Sequence, residues 1–347
     1  MQKFVRRRRP LRGVAGVAGA MSLALVIAAF GSASAVAKSH KPKSKSAPKH
    51  LKIAYLSFAV DNSYDAPMLA AAQAVAASNH ATLKVFDAAN NPATQYAQFQ
   101  DAITAGGYNG IITQPIESTN LIPLVKEAAR KGIKVVNIDQ IMGAKLNTAK
   151  VQVQGLAGNV TFVPSLMGQD LGKLAVQACK SKHLSPCKVG YLYDIQTSSL
   201  DVAIRKGFNS AVAGHNIQVV ATGQDFFTPT DGLTAVQNML TQDPSINLIA
   251  GSDQGIEGAS ADTSRPKGLL LVGYGGSAAG IAGVKSGAWF GTVLQDPATE
   301  GRVGVQTLVN AIRNRKNYAG VNPIAAEPNG GIIVKSDVRK FTAEWPG

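Results

Sequence analysis

From Leu51 onward the sequence alternates between two periods. Short, nearly continuous apolar runs recur at Lys52–Phe58, Leu83–Asp87, Gly110–Gln114, Lys134–Asp139, Lys188–Tyr193, Gln218–Ala221, Leu248–Gly251, Leu269–Tyr274 and Thr292–Gln295. Between most of them lie segments with helical spacing, among them Pro67–Ser78, Ala93–Ala105, Leu121–Lys131, Asp201–Ala213, Gly232–Thr241 and Ala298–Arg313. A strand that is apolar on both faces must be covered on both faces, and strands separated by helices pair in parallel through crossovers. The alternation therefore predicts an α/β chain built on doubly wound parallel sheets. Nine strands exceed a comfortable single sheet, so two lobes are expected, and the 297 residues after the first fifty are enough for two ordinary cores.

Doubly wound sheets bind ligands beyond the carboxyl ends of their strands. In this sequence those ends are polar. The first strand runs through Ser57-Phe58 into Asp61-Asn62-Ser63-Tyr64, the third ends at Thr113-Gln114-Pro115, and the fourth at Asn137-Ile138-Asp139-Gln140. Later ends give Asp194, Ser252-Asp253, Tyr274 and Gln295-Asp296. Amides, hydroxyls, carboxylates and a few aromatic rings suit a neutral, hydroxylated ligand. They do not by themselves separate binding from catalysis.

Charge points to export rather than to nucleic acid. The chain has a formal charge of +14, yet its first fifty residues hold eleven of the 35 basic side chains and none of the 21 acidic ones, which leaves +3 for the remainder. Residues 1–12 are basic, Gly13 to Phe30 is an uncharged and mostly apolar run, and Ala33-Ser34-Ala35 and Ala35-Val36-Ala37 both fit an A-x-A cleavage site. This is the form of a secretory signal peptide over 1–37. The arginines at 6–9 are compatible with either Sec or twin-arginine export. No cysteine lies near the cleavage site, so lipidation is not expected, and the product belongs in the periplasm or the extracellular envelope. Residues 38–50 read as a Lys-rich spacer that can also adhere to an anionic envelope polymer. Cys179 and Cys187 are the only cysteines, and in an oxidising compartment they are expected to pair. The five histidines form no ligand-spaced set, so no metal is expected.

Several segments together resemble a known family. Lys52-Ile-Ala-Tyr-Leu-Ser57, Phe86-Asp-Ala-Ala-Asn-Asn-Pro92 with Gln98-Phe-Gln-Asp-Ala-Ile103, Gly110-Ile-Ile-Thr-Gln-Pro115, Gly132-Ile-Lys-Val-Val-Asn-Ile-Asp139, Gly207-Phe208, Leu271-Val-Gly-Tyr274 and Thr292-Val-Leu-Gln-Asp-Pro297 occur in the order found in type I periplasmic sugar-binding proteins of the ribose/galactose branch. The resemblance spans Lys52 to Asp337. It implies two Rossmann-like lobes joined by a three-segment hinge and closing on a ligand. The N-terminal lobe would hold 51–154 and about 296–326, and the C-terminal lobe 155–295 and about 327–347. By matching position, Ser57, Asn62, Tyr64, Gln114, Asp139 and Gln140 would line the first lobe's side of the site. Arg205, Phe227, Ser252, Asp253, Tyr274 and Gln295 would line the second.

The sequence departs from the family where ribose and hexose binders are most charged. Gln140 stands where an Arg often follows the strand-four Asp, Gly275 replaces an Asp, Ser252 replaces an Asn, and Arg205 is shifted by one, with Ile204 in the usual place. The resemblance therefore carries a sugar-like ligand but not ribose, and Gly275 suggests space for a larger or less polar one.

Other readings compete. Gly273-Tyr-Gly275-Gly-Ser-Ala278 matches G-x-G-x-x-A after a strand, with Asp296 near the distance of a ribose-binding acid. The motif lies in the last third of the chain, and a secreted protein rarely keeps a nicotinamide cofactor, so a strand-to-helix turn lining the cleft, with Gly where backbones approach closely, is the preferred reading and no cofactor is expected. Asp61, Asp139 and Asp253 could serve as a general acid and base, although isolated loop carboxylates are more often ligand acceptors or caps. The sequence is read as a non-enzymatic, extracytoplasmic solute-binding protein of an ABC importer. It would be a monomer, with a sugar-like ligand and a membrane permease as partners and no nucleic acid. The alternatives are a sensor of the same fold feeding a kinase or chemoreceptor, and an extracellular carbohydrate-active enzyme.

Overall fold

A computed structural model describes residues 48–347. The expected signal peptide and all but the last three residues of the expected spacer lie outside the described residues.

The first sheet contains β1 (Leu51–Ser57), β2 (Ala81–Asp87), β3 (Gly110–Thr113), β4 (Lys134–Asp139), β5 (Leu156–Thr161) and β11 (Gly320–Val321). Their order is β11-β5-β4-β3-β1-β2, parallel throughout. The second contains β6 (Cys187–Tyr193), β7 (Ile217–Gln224), β8 (Leu248–Ser252), β9 (Leu270–Gly275), β10 (Gly291–Leu294) and β12 (Ile332–Val334). Its order is β12-β10-β9-β8-β6-β7, with only β12 antiparallel. All nine strands expected from the apolar runs are present. In each sheet the winding reverses once, between β1 and β3 and between β6 and β8. Those reversals are the crevices where doubly wound sheets bind ligands.

Helices cover both faces of both sheets. In the first lobe these are α1 (Asp65–Ser78), α2 (Pro92–Thr104) and α3 (Ile122–Arg130). In the second they are α4 (Pro164–Ser181), α5 (Ser199–Val212), α6 (Pro229–Gln242), α7 (Asp253–Ala261) and α8 (Ala278–Ser286). The starts follow from local chemistry. Asn91 and Thr228 accept N–H groups of the first turn from Thr94 and Asp231, and a proline fills the next position, where no donor is needed. The result is one apolar core on each side of each sheet, with Tyr55 and Phe99 on opposite faces of the first and Tyr191 and Trp289 on opposite faces of the second.

The chain changes lobe three times. It crosses after β5 into α4, returns after β10 into α9 (Pro297–Asn314), and leaves again between β11 and β12. Helix α9 packs on α1 and across β3, β4 and β5, so it belongs to the first lobe. Expected at 154/155, the first crossing instead lies beyond Thr161, because Leu156–Thr161 pairs along β4. That strand was hidden by Asn159, a polar residue whose buried side chain accepts from Asn137 and donates to Ala149. Cys179 and Cys187 form the expected disulfide, joining the end of α4 to the start of β6 across a Cα–Cα distance of 5.9 Å. Among the described residues no helix is long and apolar enough to cross a membrane.

Helices α4 and α5 touch through glycines. A Cβ added at Gly168 would lie 1.9 Å from the carbonyl oxygen of Ile204, and one at Gly207 would lie 2.2 Å from that of Ser165. Backbone cannot yield as a flexible side chain does. Gly168→Ala and Gly207→Ala should each cost about 1–3 kcal/mol or more, read as a lower urea midpoint. An unchanged midpoint for both would contradict this close approach.

Candidate functional site

The carboxyl ends of the two sheets meet around a cavity of about 540 Å³, counting the part open to solvent. Its polar wall comes from Asn62, Asp65, Asp139, Gln140, Asp194, Ser252, Gln254 and Gln295. Its rings are Phe58, Tyr64, Phe162, Phe227, Tyr274 and Trp345.

The first lobe builds its half around Gln114, at the end of β3. The Gln114 amide donates to Asp65 and, at 3.2 Å, to Asp139 Oδ2, while its carbonyl accepts the N–H of Phe58 at 3.3 Å. Two buried carboxyls are thereby held side by side. Burial pushes Asp139 up to about 7, opposed by the Gln114 hydrogen bond. Asp65 is raised well above the carboxylate range by burial first and the charge of Asp139 second. Asp139 also has a left-handed backbone, with φ of +65°. For a residue with a Cβ this costs about 1–2 kcal/mol, and such strain concentrates where a side chain must be aimed. Asn62 shapes the preceding loop, accepting the N–H of Tyr64 on its side chain at 2.8 Å.

The second lobe repeats the arrangement with other residues. Asp194 follows β6, and Asp225 follows β7. Ser252 donates to Asp225 Oδ2 at 2.8 Å and accepts the N–H of Gly255, capping α7. Tyr274 donates to Asp194 Oδ2. Burial, with the Asp225 charge next, raises Asp194 well above its ordinary value, and burial brings Asp225 to about 7. Asp225 also accepts the N–H of Phe227 at 3.0 Å and so fixes a turn in which Phe226 and Phe227 are both left-handed, at φ +48° and +61°. That turn carries Phe227 into the cavity, edge-on to Phe58 with ring centres 6.4 Å apart.

The lobes touch across the cavity. Ser118 and Ser199 hydroxyls lie 3.0 Å apart, Gln254 donates to Ser63 at 3.2 Å, and Gln295 donates to Tyr64 Oη at 3.3 Å.

Of the residues expected at the site, Asn62, Tyr64, Asp139, Gln140, Phe227, Ser252, Tyr274 and Gln295 line the cavity. Ser57 and Gln114 do not. Ser57 is buried at the end of β1, and Gln114 acts one layer back, through Asp65 and Asp139. Arg205 lies elsewhere. Its guanidinium stacks over Tyr191 at 4.5 Å and Tyr193 at 5.7 Å, and its Nε donates to Asn209. One residue along a helix turns a side chain by about 100°, so the shifted arginine faces differently and Ile204 is buried in its usual place. Asp253 also points away, accepting from Ser277 N and Oγ at 2.8 Å and from Thr292.

The space expected at Gly275 is filled. A Cβ there would lie 2.6 Å from the Trp345 ring, and the indole N–H donates to the Gly275 carbonyl at 2.8 Å. Trp345 also meets Tyr64 edge-on with centres 5.4 Å apart. The same C-terminal segment settles the glycine-rich turn. The first N–H groups of α8 are bonded to Trp345 and Pro346 carbonyls, and Ser277 N is bonded to Asp253. No donors remain there for a pyrophosphate. Of Asp61, Asp139 and Asp253, only Asp139 lines the cavity.

Sequence reasoning missed Asp65, which reads as an ordinary acidic first-turn residue of a helix. It noted Asp194 only as a polar strand end. Phe162, Met167 and Leu200 are apolar residues of the crossing and of neighbouring helices, with no local signal of their role.

Comparison with known proteins agrees with this architecture. A family model for the periplasmic binding protein domain matches residues 53–316. The ribose import binding protein of Salmonella typhimurium is 29% identical over 242 residues, covering 68% of this chain and 76% of that protein. A crystal structure of a galactofuranose-binding protein superposes with a TM-score of 0.72 at 18% identity, covering 84% of this chain and 96% of that one. An ABC transporter solute-binding protein from Bacillus halodurans with bound myo-inositol gives 0.73 at 17% identity, covering 87% and 100%. With the sheet order, the opposed strand ends and the matched span in agreement, the chain belongs to the periplasmic binding protein domain family.

Proposed function

We propose that this protein is the extracytoplasmic solute-binding component of an ABC importer, without enzymatic activity, and that it holds a sugar or sugar-like polyol between its lobes. The observation that carries this reading is the make-up of the cavity wall. Carboxyls and amides from both sheets, together with aromatic rings, line one cavity. A sugar packs its C–H faces on rings, and its hydroxyls exchange hydrogen bonds with planar amide and carboxyl groups. The names of the relatives, which include ribose, galactofuranose and myo-inositol binders, point the same way. The three crossings would serve as the hinge. Ligand contacts to both lobes would favour the closed form, which a membrane permease would recognise.

A thermal-shift panel of pentoses, hexoses, polyols and disaccharides tests the ligand class. A true ligand at a hundred times its Kd should stabilise the protein by about 2.7 kcal/mol. Absence of any shift across the panel would sink the sugar assignment. Asp139→Ala should lose binding while remaining folded, and retained affinity would show that the ligand sits elsewhere.

The raised carboxyls also predict a pH dependence. Asp139 titrates at about 7 in the folded chain but near 3.9 when unfolded. Between these values the folded state binds more protons, so stability rises as pH falls through that window, by up to about 1.4 kcal/mol per unit for each such group. The ligand-free protein should melt at a higher temperature at pH ~5 than at pH ~8, and Asp139→Asn should flatten the slope. The opposite trend would contradict burial of these carboxyls.

A further inference from the structure

The cavity wall is unbalanced in charge. It presents Asp65, Asp139 and Asp194, and no Lys, Arg or His among the described residues lines it. More acid stands behind. Asp225 is linked to the wall through Ser252, and Glu300, buried where α9 begins, takes the N–H of Phe162 on one oxygen and leaves the other without a partner. Arg205, the basic residue expected here, stacks on Tyr191 and Tyr193 and donates its Nε to Asn209, with Nη1 buried and unpartnered, and it does not line the cavity. The ion pairs Lys131–Glu127, Lys173–Asp170 and Arg302–Glu344 involve none of these carboxyls. The imbalance is local, since the chain beyond its first fifty residues is slightly basic overall.

The carboxyls of the wall also leave an acceptor open. Asp194 is 1% exposed, lines the cavity, and has one oxygen, Oδ1, with no partner. Gln254 and Gln295 each give one amide hydrogen, to Ser63 and Tyr64, and keep a second. An uncompensated buried carboxylate is costly, and either a proton or a cation must relieve it. An ammonium offers three donors and no acceptor. The rings of Phe58, Tyr64, Phe227 and Trp345 surround the same space, and aromatic faces attract cations.

We propose that the ligand is an amine-bearing sugar or polyol, its ammonium held by the carboxyls of Asp65, Asp139 and Asp194 among these rings. This rests on the sugar reading above and specifies the charge of its ligand.

Titration calorimetry on the full chain at neutral pH tests it with matched pairs: D-glucosamine and D-glucose, D-galactosamine and D-galactose, glucamine and sorbitol. In at least one pair the amine should bind tenfold or more tighter than its neutral parent, about 1.4 kcal/mol. N-acetylation, which keeps the nitrogen and removes its charge, should abolish the preference. Asp194→Asn should shrink the ratio of amine to neutral affinity, and Asp65→Asn provides the same reading if that variant fails to fold. Neutral sugars binding as tightly as their amines would overturn the charge assignment and leave the sugar reading standing. A preference that survives both substitutions would overturn the role of the carboxyls. No binding by any member of the panel would overturn the sugar reading and this inference with it.

Discussion

The amide of Gln114 fixes the first lobe's half of the cleft. Two carboxyls, Asp65 and Asp139, are buried close together, and each alone would disfavour its own ionisation. One NH₂ group donates to both, and its carbonyl partner anchors the backbone at Phe58. The side chain ends β3, next to β1, at the reversal of winding. The carboxyl of Asp139, the loop carrying Asn62 and Tyr64, and the ring of Phe58 are thus positioned by one residue that does not itself reach the cavity. Removing a group that satisfies two buried carboxyls leaves both without that partner, which costs more than one ordinary hydrogen bond.

The second lobe solves the same problem without an amide. Asp194 and Asp225 stand at the ends of β6 and β7, and Ser252 and Tyr274 hydroxyls take the place of Gln114. Both halves also rely on left-handed residues, Asp139 in one and Phe226-Phe227 in the other. Strained backbone survives where surrounding bonds over-determine it. The Asp225 carboxyl accepting from Phe227 and Ser252 is such a bond set.

How much of this was legible in the sequence follows from the range of each signal. Strands buried on both faces show themselves as apolar runs, so nine were readable, and the helix caps at Asn91 and Thr228 are local as well. Leu156–Thr161 was not readable, because its buried Asn159 breaks the apolar pattern and is satisfied by Asn137 on the adjacent strand and by the Ala149 carbonyl of the preceding loop. The polar strand ends gave nine of the cavity's residues, Phe58, Asn62, Tyr64, Asp139, Gln140, Asp194, Ser252, Tyr274 and Gln295, and the family resemblance added Phe227. They also gave Asp253, whose position at a strand end is right but whose carboxyl turns toward Ser277 and Thr292. A strand end specifies where a residue starts, and its neighbours decide where its side chain goes.

The sequence by itself determined the two-lobed α/β architecture, because alternation between apolar strands and amphipathic helices is a property of neighbouring residues. It also determined that polar groups would gather at the strand ends. Only the tertiary structure decided the character of the cleft. Trp345 fills the place beside Gly275, seventy residues away in sequence. Arg205 is drawn off to the Tyr191 and Tyr193 rings, and Asp65, Asp139 and Asp194 converge with no base on the wall among the described residues. These are contacts between distant segments, set by the three crossings that bring the strand ends face to face, and no local pattern encodes them.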